Sequence, residues 1–244
     1  VGILIVAYLL YNRQKIRNQQ QKQEFELKSA IAKIETQNKL QEQRLQISRD
    51  LHDNIGSQLT FIISSVDNIK YAFDLKNHKL DEKLSNINAF AKSTIIELRD
   101  TIWAMNHEQI LCEDLQVRIH NFMEKAKEAK ENISFNFDID TSLKGIAFTS
   151  VQGMNIYRTV QEAVNNSIKY ADATQISVLI NVVADKISIL IDDNGKGFNL
   201  EEIELGNGIV NMKKRIADIN GTIKIHSRIE KGTTITILLD NTRN

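Results

Sequence analysis

Apolar residues recur at steps of three and four along two stretches of the first half of the chain, residues 51–73 and about 80–106. This is the period of a helix with one apolar face, so we predict two helices there. The stretch DLKNHKLDEK (74–83) between them is typical of a helix-to-helix connection. A single hairpin cannot bury an apolar face of this length, and we expect two hairpins to pair as a four-helix bundle. The apolar positions are Leu51, Ile55, Leu59, Ile62, Val66, Ile69 and Phe73, and then Leu84, Ile87, Phe90, Ala91, Ile95, Leu98 and Ile102.

The segment before this hairpin, residues 13–48, is rich in Gln, Lys and Glu and contains no Gly or Pro. Candidate core positions recur in it by four and three, as in a coiled coil. We therefore predict a coiled-coil linker over residues 13–43 and the helical hairpin over residues 44–108. The core positions of this seam, which include two polar residues, are Leu27, Ile31, Ile34, Asn38, Gln41 and Leu45.

The chain opens with an apolar run, residues 1–12, that is followed at once by Arg13, Lys15 and Arg17. The run is too short to cross a bilayer, which needs about 20 residues. It fits the end of a truncated transmembrane segment, with the basic flank on the cytoplasmic side. The alternative is a short buried helix or an adventitious apolar end. A secretory signal is disfavoured because its positive charges precede its apolar core.

The second half of the chain has a different pattern, in which helical periods are interspersed with short runs of alternating apolar and polar positions. The stretches 174–193 and 221–239 each predict two strands joined by a turn. Helices and antiparallel strands in two layers make an α+β unit, which we place at residues 109–244. The predicted helices cover about 113–131, 150–170 and 209–219, and the first predicted strand is ISFNFDID (133–140).

Composition narrows the class of protein only a little. The chain has 244 residues, which favours two structural units, and its 42% hydrophobic content is ordinary for a folded protein. Lys plus Arg and Asp plus Glu both number 31, so no net positive charge indicates direct nucleic-acid binding. The single cysteine, Cys112, forms no internal disulfide, and the five histidines lack Cys partners at zinc-site spacing.

The sequence ISRDLHDNIGSQLT (47–60) places a histidine, an aspartate and a glycine in the first of the two hairpin helices. His52 follows Leu51 by one position and is therefore rotated by about 100° around the helix axis, so its side chain points outward. Its neighbours on the same face are Ser48 and Gly56. Gly56 costs a helix about 1 kcal/mol relative to alanine, which suggests that open space beside His52 matters. A neutral imidazole is a competent nucleophile at cellular pH. For an isolated His-Asp pair, the plain alternative is an ordinary exposed helix face.

Three stretches of the second half stand out together: EAVNNSIKYA (162–171), DDNGKGF (192–198) and LGNGIVNMKKR (205–215). Taken singly, each stretch has Asn, Asp or glycine residues of the kind that also occur in turns and helix caps. In this order, with KGTTITILL near the end of the chain, they resemble the nucleotide-binding boxes of the GHKL ATPase superfamily. With the His-Asp helix upstream, residues 44–240 resemble a sensor histidine kinase of the HisKA_3 subfamily, which includes the nitrate and lipid-fluidity sensors.

The resemblance implies a dimeric helical hairpin followed by a two-layer ATPase domain of the Bergerat type, with ATP and Mg²⁺ as cofactors. Asn166 would be the protein ligand of the metal, since a hard cation prefers oxygen donors. Gly206 and Gly208 precede a predicted helix whose free N–H groups attract phosphate, and residues 198–207 would be a mobile lid. The resemblance carries nucleotide-binding roles to Glu162, Asn166, Lys169, Tyr170, Asp193, Gly195, Gly197, Gly206, Gly208, Gly232 and Thr233.

The pattern D-x-G-x-G of this superfamily falls on Asp193, Gly195 and Gly197, which makes Asp192 the last residue of its strand. Asp193 would accept a hydrogen bond from the exocyclic amine of adenine, and a base without that donor would leave a buried acceptor unpaired. The glycines would let the backbone approach the ligand and adopt positive φ angles. A supporting contact is expected from the last box, at Gly232 and Thr233.

For the histidine helix, the resemblance implies that His52 attacks the γ-phosphoryl group of ATP and that a response regulator aspartate later receives it. Asp53 is assigned as the base at the other ring nitrogen, although adjacent helix positions do not face each other. In kinases that also dephosphorylate their partner, a glutamine often follows this aspartate by four residues. Here that position is Ser57, with Gln58 one later, and this departure argues against phosphatase activity. Trp103 is expected to pack and not to take part in chemistry.

The implied protein is a homodimer anchored at the inner membrane of a bacterium, with this region in the cytoplasm and no nucleic acid bound directly. Three other interpretations stay open. They are a nucleotide-binding switch without phosphotransfer, a chaperone or DNA-repair ATPase of the same superfamily, and an anti-sigma serine kinase. The ATPase leaves the His-Asp helix without a function, and the serine kinase normally lacks the bundle.

Overall fold

The computed structural model describes residues 2–73, 78–199 and 207–241. The chain divides into two compact units, Val1–Leu98 and Arg99–Asn244, called the N-terminal unit and the C-terminal unit below. The domain boundaries placed after residues 12, 43 and 108 stay predictions. In the described ranges, no helix combines the length and the apolar stretch that a bilayer crossing requires.

The N-terminal unit is built from long helices. The first, α1 (Gly2–Asp50), runs for 49 residues, which the absence of proline from the chain permits. A π-helical turn (Leu51–Gly56) joins it to α2 (Ser57–Ala72). The next helix, α3 (His78–Met105), begins inside the stretch predicted as a connection. That prediction is therefore wrong at residues 78 and 79, while residues 80–83 lie in the helix that was also predicted from about residue 80. Residues 74–77 lie outside the described residues.

Polar contacts join α2 to α3 in addition to apolar packing. Asn88 Nδ2 donates to Asp67 Oδ1 at 2.6 Å. Lys70 Nζ donates to Ser85 Oγ at 2.8 Å and lies 2.9 Å from Asp81 Oδ1. Because a shift of one helix along the other would break all three contacts, these pairs set the register of the hairpin.

The apolar face of the hairpin is only partly covered in a single chain. Val66 and Ala91 are buried, whereas Ile55, Ile62 and Ile69 remain 40%, 41% and 42% exposed. The apolar seam positions of α1 are exposed as well. The coiled coil and the paired four-helix bundle both need a second chain, and they stay predictions.

The C-terminal unit is built on a five-stranded sheet whose spatial order differs from its chain order. The strands are β2 (Ser134–Ile139), β4 (Gln175–Val183), β5 (Lys186–Asp193), β6 (Thr222–Ser227) and β7 (Thr233–Asp240), and a separate ribbon pairs β1 (Gln109–Leu111) with β3 (Ala147–Thr149). The sheet order is β2-β4-β5-β7-β6. All neighbours are antiparallel except β2 and β4, which run parallel, so the expectation of antiparallel strands throughout is wrong for β2.

Three helices supply the second layer: α4 (Cys112–Ala129), α5 (Ser150–Tyr170) and α6 (Asn207–Ala217). Alternate strand residues such as Ile176, Val178 and Ile180 are buried in one core with the apolar faces of these helices. A capping box starts α5, in which Thr149 and Gln152 satisfy each other's backbone N–H groups. The α+β fold class and its two layers are confirmed.

The last turns of α3 belong to the C-terminal unit and pack around a buried carboxylate. Asp100 Oδ1 accepts from Arg118 Nη2 of α4 at 2.5 Å, and Arg158 of α5 lies 3.7 Å from Oδ2. The Arg118 guanidinium is 4.1 Å from the centroid of the Trp103 ring, so this tryptophan packs against a cation. Burial and the nearby Asp100 carboxylate raise the pKa of Tyr157, in the same cluster, to about 12.

Candidate functional site

A cavity of about 620 Å³ opens in the C-terminal unit between α5, α6 and the ends of β5 and β7. The two inward-facing partners Ile225 and Ile235, which pair across β6 and β7, lie at its sheet side. Gly206 lies outside the described residues, and Gly195 and Gly232 do not line the cavity. The lining residues that the sequence predicted are Glu162, Asn166, Lys169, Tyr170, Asp193, Gly197, Gly208 and Thr233.

Asp193 is the buried acceptor of this cavity, 5% exposed. It is the last residue of β5, so the expectation that the strand ends at Asp192 is wrong by one position. Its Oδ1 accepts from the backbone N–H of Gly195 at 3.0 Å, and its Oδ2 accepts from Ser167 Oγ at 2.6 Å. A carboxylate held by two donors in a cavity can accept further hydrogen bonds from a polar ligand.

The glycines around Asp193 are required by the fold itself. Gly197 and Gly232 have φ angles of +59° and +78°, which favour glycine. A Cβ on Gly232 would overlap the carbonyl oxygen of Asp193, and one on Gly195 would overlap that of Ala171. Gly232 thus packs against the backbone of Asp193, and the supporting contact to a ligand expected at Gly232 and Thr233 stays a prediction. The expected positive φ is found at Gly197, and the expectation that the glycines let the backbone approach a ligand stays a prediction.

On α5, Glu162 and Asn166 face the cavity one turn apart and are half-buried. Asn166 Nδ2 donates to Glu162 Oε1 at 3.3 Å, which turns the amide oxygen of Asn166 away from this partner. Lys169 and Tyr170 are exposed at the end of the helix. The half-buried Glu162 and Asn166 present oxygen atoms, whereas the exposed Lys169 presents a cation and Tyr170 a phenol.

α6 begins two residues earlier than predicted, at Asn207, so Gly208 lies inside its first turn and not before the helix. A Cβ on Gly208 would overlap Glu162 Oε1 and would lie 3.4 Å from Asn166 Nδ2. The glycine thus lets the N-terminus of α6 approach the polar face of α5. The free N–H groups of a helix N-terminus at this position suit a negatively charged ligand.

Several residues that line the cavity were not predicted from the sequence. Ser167 was available from the helical period, because cavity residues of α5 recur at steps of three and four. Asn194, which does not line the cavity but supports the loop that follows Asp193, carried no such signal. Its Oδ1 accepts from the backbone N–H groups of Thr174 and Gln175, both at 2.9 Å, and so pins the glycine loop to the start of β4. The other unpredicted lining residues are Ala163, Ala171, Lys196, Phe198, Asn207, Ile209, Met212, Ile225 and Ile235.

His52 lies on the π-helical turn of the N-terminal unit, and its side chain is 69% exposed. Its Nδ1 lies 3.0 Å from Asp53 Oδ1. Adjacent residues were not expected to face each other, and that geometric expectation is wrong here. The outward orientation of His52 is as predicted.

The surroundings of His52 differ from the expectation on the side of Ser48 and agree with it on the side of Gly56. Ser48, expected beside the imidazole on the same face, is buried. A Cβ on Gly56 would meet only Leu98 Cδ2, at 3.9 Å, so the space beside this glycine is open. Ser57 Oγ donates to the carbonyl groups of Asp53 and Asn54 and is therefore turned onto its own helix.

Two family models match the chain. The family described as histidine kinase-, DNA gyrase B- and HSP90-like ATPase (HATPase_c) matches residues 152–243, and the histidine kinase family HisKA_3 matches residues 43–110. The first match contains the whole cavity lining, and the second contains the π-helical turn with His52.

A curated relative and two solved structures agree with these matches. The signal transduction histidine-protein kinase/phosphatase DegS of Brevibacillus brevis is 29% identical over 201 residues, which are 81% of this chain and 51% of the relative. The chain thus spans about half the length of that relative. The histidine kinase domain of the Erythrobacter litoralis EL346 blue-light activated kinase (TM-score 0.51, 13% identity, 77% of this chain and 95% of that one) shares the fold. So does Acinetobacter baumannii histidine kinase AdeS (TM-score 0.52, 16% identity, 79% and 98%).

Proposed function

We propose that the chain phosphorylates itself on His52 with ATP, because it matches the histidine kinase family HisKA_3 over residues 43–110 and the ATPase family HATPase_c over residues 152–243. The phosphoryl group then passes to an aspartate of a response regulator. The observation that carries the proposal is an exposed imidazole with a carboxylate at Nδ1, in a chain that also forms a cavity around a buried aspartate.

The contact at Nδ1 supports Nε2 as the nitrogen of His52 that reacts. A proton on Nδ1 is donated to Asp53, which leaves the lone pair of the neutral ring on Nε2. Nε2 then forms the bond to the γ-phosphorus as the bond to the bridging oxygen of ADP breaks. The positive charge that develops on the ring is offset when Nδ1 passes its proton to the carboxylate of Asp53.

The cavity supports the binding of ATP in a definite orientation. Asp193 accepts a hydrogen bond from the exocyclic amine of adenine, and the N-terminus of α6 and Lys169 attract the phosphates. The amide oxygen of Asn166 and the carboxylate of Glu162 are the hard donors that Mg²⁺ prefers, so these residues fit the metal. When bound, Mg²⁺ would neutralise charge on the phosphate oxygens.

The test is phosphorylation of the full chain with γ-labelled ATP, followed by mass-spectrometric location of the phosphate. We expect an acid-labile, alkali-stable label on His52 in the wild type. His52→Gln should abolish labelling and leave ADP affinity unchanged, because the cavity lies in the other unit. Asp193→Asn should weaken ADP binding. Undiminished labelling of the His52 variant would contradict the assignment, and binding without labelling of the wild type would favour a nucleotide-binding switch.

We also propose that the kinase acts as a homodimer at the inner membrane. Exposed Ile55, Ile62 and Ile69 on the hairpin support the dimer, since two hairpins would cover one another. The exposed apolar start of α1, followed by Arg13 and Lys15, supports the anchor. Co-sedimentation of the full chain with vesicles, lost on removal of residues 1–12, is the result expected for the anchor, and unchanged sedimentation would exclude it.

A further inference from the structure

The cavity contains a buried hydroxyl group to which the proposed function gives no role, that of Ser167. It lies in α5 directly after Asn166 and is 7% exposed. Its Oγ donates to Asp193 Oδ2 at 2.6 Å and lies 3.2 Å from the carbonyl oxygen of Ala163. One hydroxyl hydrogen cannot serve two acceptors equally, and the shorter contact, to a carboxylate, is the stronger. Ser167 therefore acts chiefly on Asp193.

With this contact, each oxygen of the Asp193 carboxylate has one fixed donor. Gly195 N–H holds Oδ1 from the loop, and Ser167 holds Oδ2 from α5. The plane of the carboxylate is thereby fixed relative to the cavity that both Asp193 and Ser167 line. An ionised carboxylate only accepts hydrogen bonds, so a fixed one matches a donor on a ligand and opposes another acceptor at the same point.

We propose that Ser167 is a positioning residue that sets the base specificity of the nucleotide pocket. By fixing Asp193, it favours a purine with an amino group at position 6 over one with a carbonyl group there. The inference rests on the proposed function, in which Asp193 meets the amine of adenine. A site built to pair with such a donor rejects the analogue that lacks it, because the buried acceptor is left unpaired.

The test is the affinity of the full chain for ADP and for IDP, measured by titration calorimetry for the wild type, Ser167→Ala and a matched control, Ser188→Ala. Ser188 is also a buried serine, in β5, but it does not line the cavity. Loss of one hydrogen bond to a charged group predicts about tenfold weaker ADP binding by Ser167→Ala. IDP does not use this contact, so the ratio of the two affinities should fall by about the same factor. The control should keep the wild-type ratio.

Ser167→Cys provides a second probe in case the alanine variant does not fold. A thiol is a weak donor of similar position, so the affinity ratio should fall in the same direction but by less. A ratio that stays at the wild-type value in the folded variant, or equal losses for both nucleotides, would overturn the inference and leave Ser167 a structural role. A wild-type chain that binds neither nucleotide would instead overturn the proposed function and the inference with it.

Discussion

The side chains of His52 and Asp53 meet although they are adjacent in the chain. In a regular α-helix such neighbours point about 100° apart. Here the helix is π-helical from Leu51 to Gly56, and its wider turn coincides with the His-Asp pair. Single π-helical turns within α-helices are frequent at functional sites. At this scale the backbone, and not the choice of side chains alone, brings Asp53 to one ring nitrogen of His52.

Asp53→Asn tests that role of the carboxylate. The amide can still accept a hydrogen bond from Nδ1 but cannot take its proton, so we expect autophosphorylation to slow by about 100-fold. ADP affinity should not change. Asp50→Asn, which removes another exposed carboxylate of the same helical segment, is the control and should keep the wild-type rate. An Asp53 variant as fast as this control would show that Asp53 is not the base.

Cys112 gives a prediction of a different kind, for the dependence of stability on pH. Burial, and then the charge of Glu113, raises the pKa of this thiol from 9.0 to about 11. The folded state thus holds the proton where the unfolded state releases it, so the stabilisation is complete below pH 9 and is lost as the pH rises to about 11. Urea titrations at several pH values should show that the free energy of unfolding falls less over this interval in Cys112→Ala than in the wild type. The difference should be on the order of 1 kcal/mol. Equal losses would contradict the assignment.

At the scale of elements, the sequence predicts the helices and strands well wherever a period extends over enough residues. α5 was predicted at about 150–170 and is observed at Ser150–Tyr170, because an amphipathic pattern and a capping box coincide there. α6 was predicted two residues late because the polar Asn207 and Gly208 carry no apolar period. The ribbon of β1 and β3 was missed, since three residues are too few for alternation to be recognised.

Features that depend on distant parts of the chain could not be predicted from local patterns. The parallel pairing of β2 with β4 joins strands separated by a whole helix, α5. The contact of Ser167 with Asp193 spans 26 positions. The site residues that were predicted came from a resemblance to known boxes, whereas the apolar lining from β6 and β7 has no marker other than ordinary strand alternation.

The end of α3 is held in the C-terminal unit by the carboxylate of Asp100, and its removal tests that element. Asp100→Ala removes the buried carboxylate that Arg118 and Arg158 contact, and we expect the free energy of unfolding to fall by about 3 kcal/mol. Trp103 is the only tryptophan and packs on Arg118, so its fluorescence during urea unfolding reports on this cluster. Glu128→Ala, at an exposed position of α4, should change stability by less than about 0.5 kcal/mol. A comparable loss in both variants would contradict the proposed importance of the buried pair.

At the scale of the whole molecule, the two units bury their apolar residues to different extents. The C-terminal unit encloses one continuous core from its sheet, from α4, α5 and α6, and from the end of α3. The hairpin buries few large apolar side chains, and Ile55, Ile62 and Ile69 stay exposed at a spacing of seven residues. A heptad of half-covered isoleucines is typical of helices that pack against a further helix. The proposed dimer would cover these residues.

Ile62→Asp tests the dimer at the middle of this row. In a symmetric dimer the substitution occurs twice, and losing the burial of one isoleucine costs about 1.5–3 kcal/mol, so the dissociation constant should rise by at least about 100-fold. Light scattering of the full chain should then report monomers at concentrations where the wild type is dimeric, with ADP affinity unchanged because the nucleotide cavity is formed within one C-terminal unit. Ser64→Asp adds the same charge at an exposed position two residues away and should leave the dimer intact. A wild-type chain that is monomeric at these concentrations, or an Ile62 variant as dimeric as the control, would show that the row of isoleucines serves another contact.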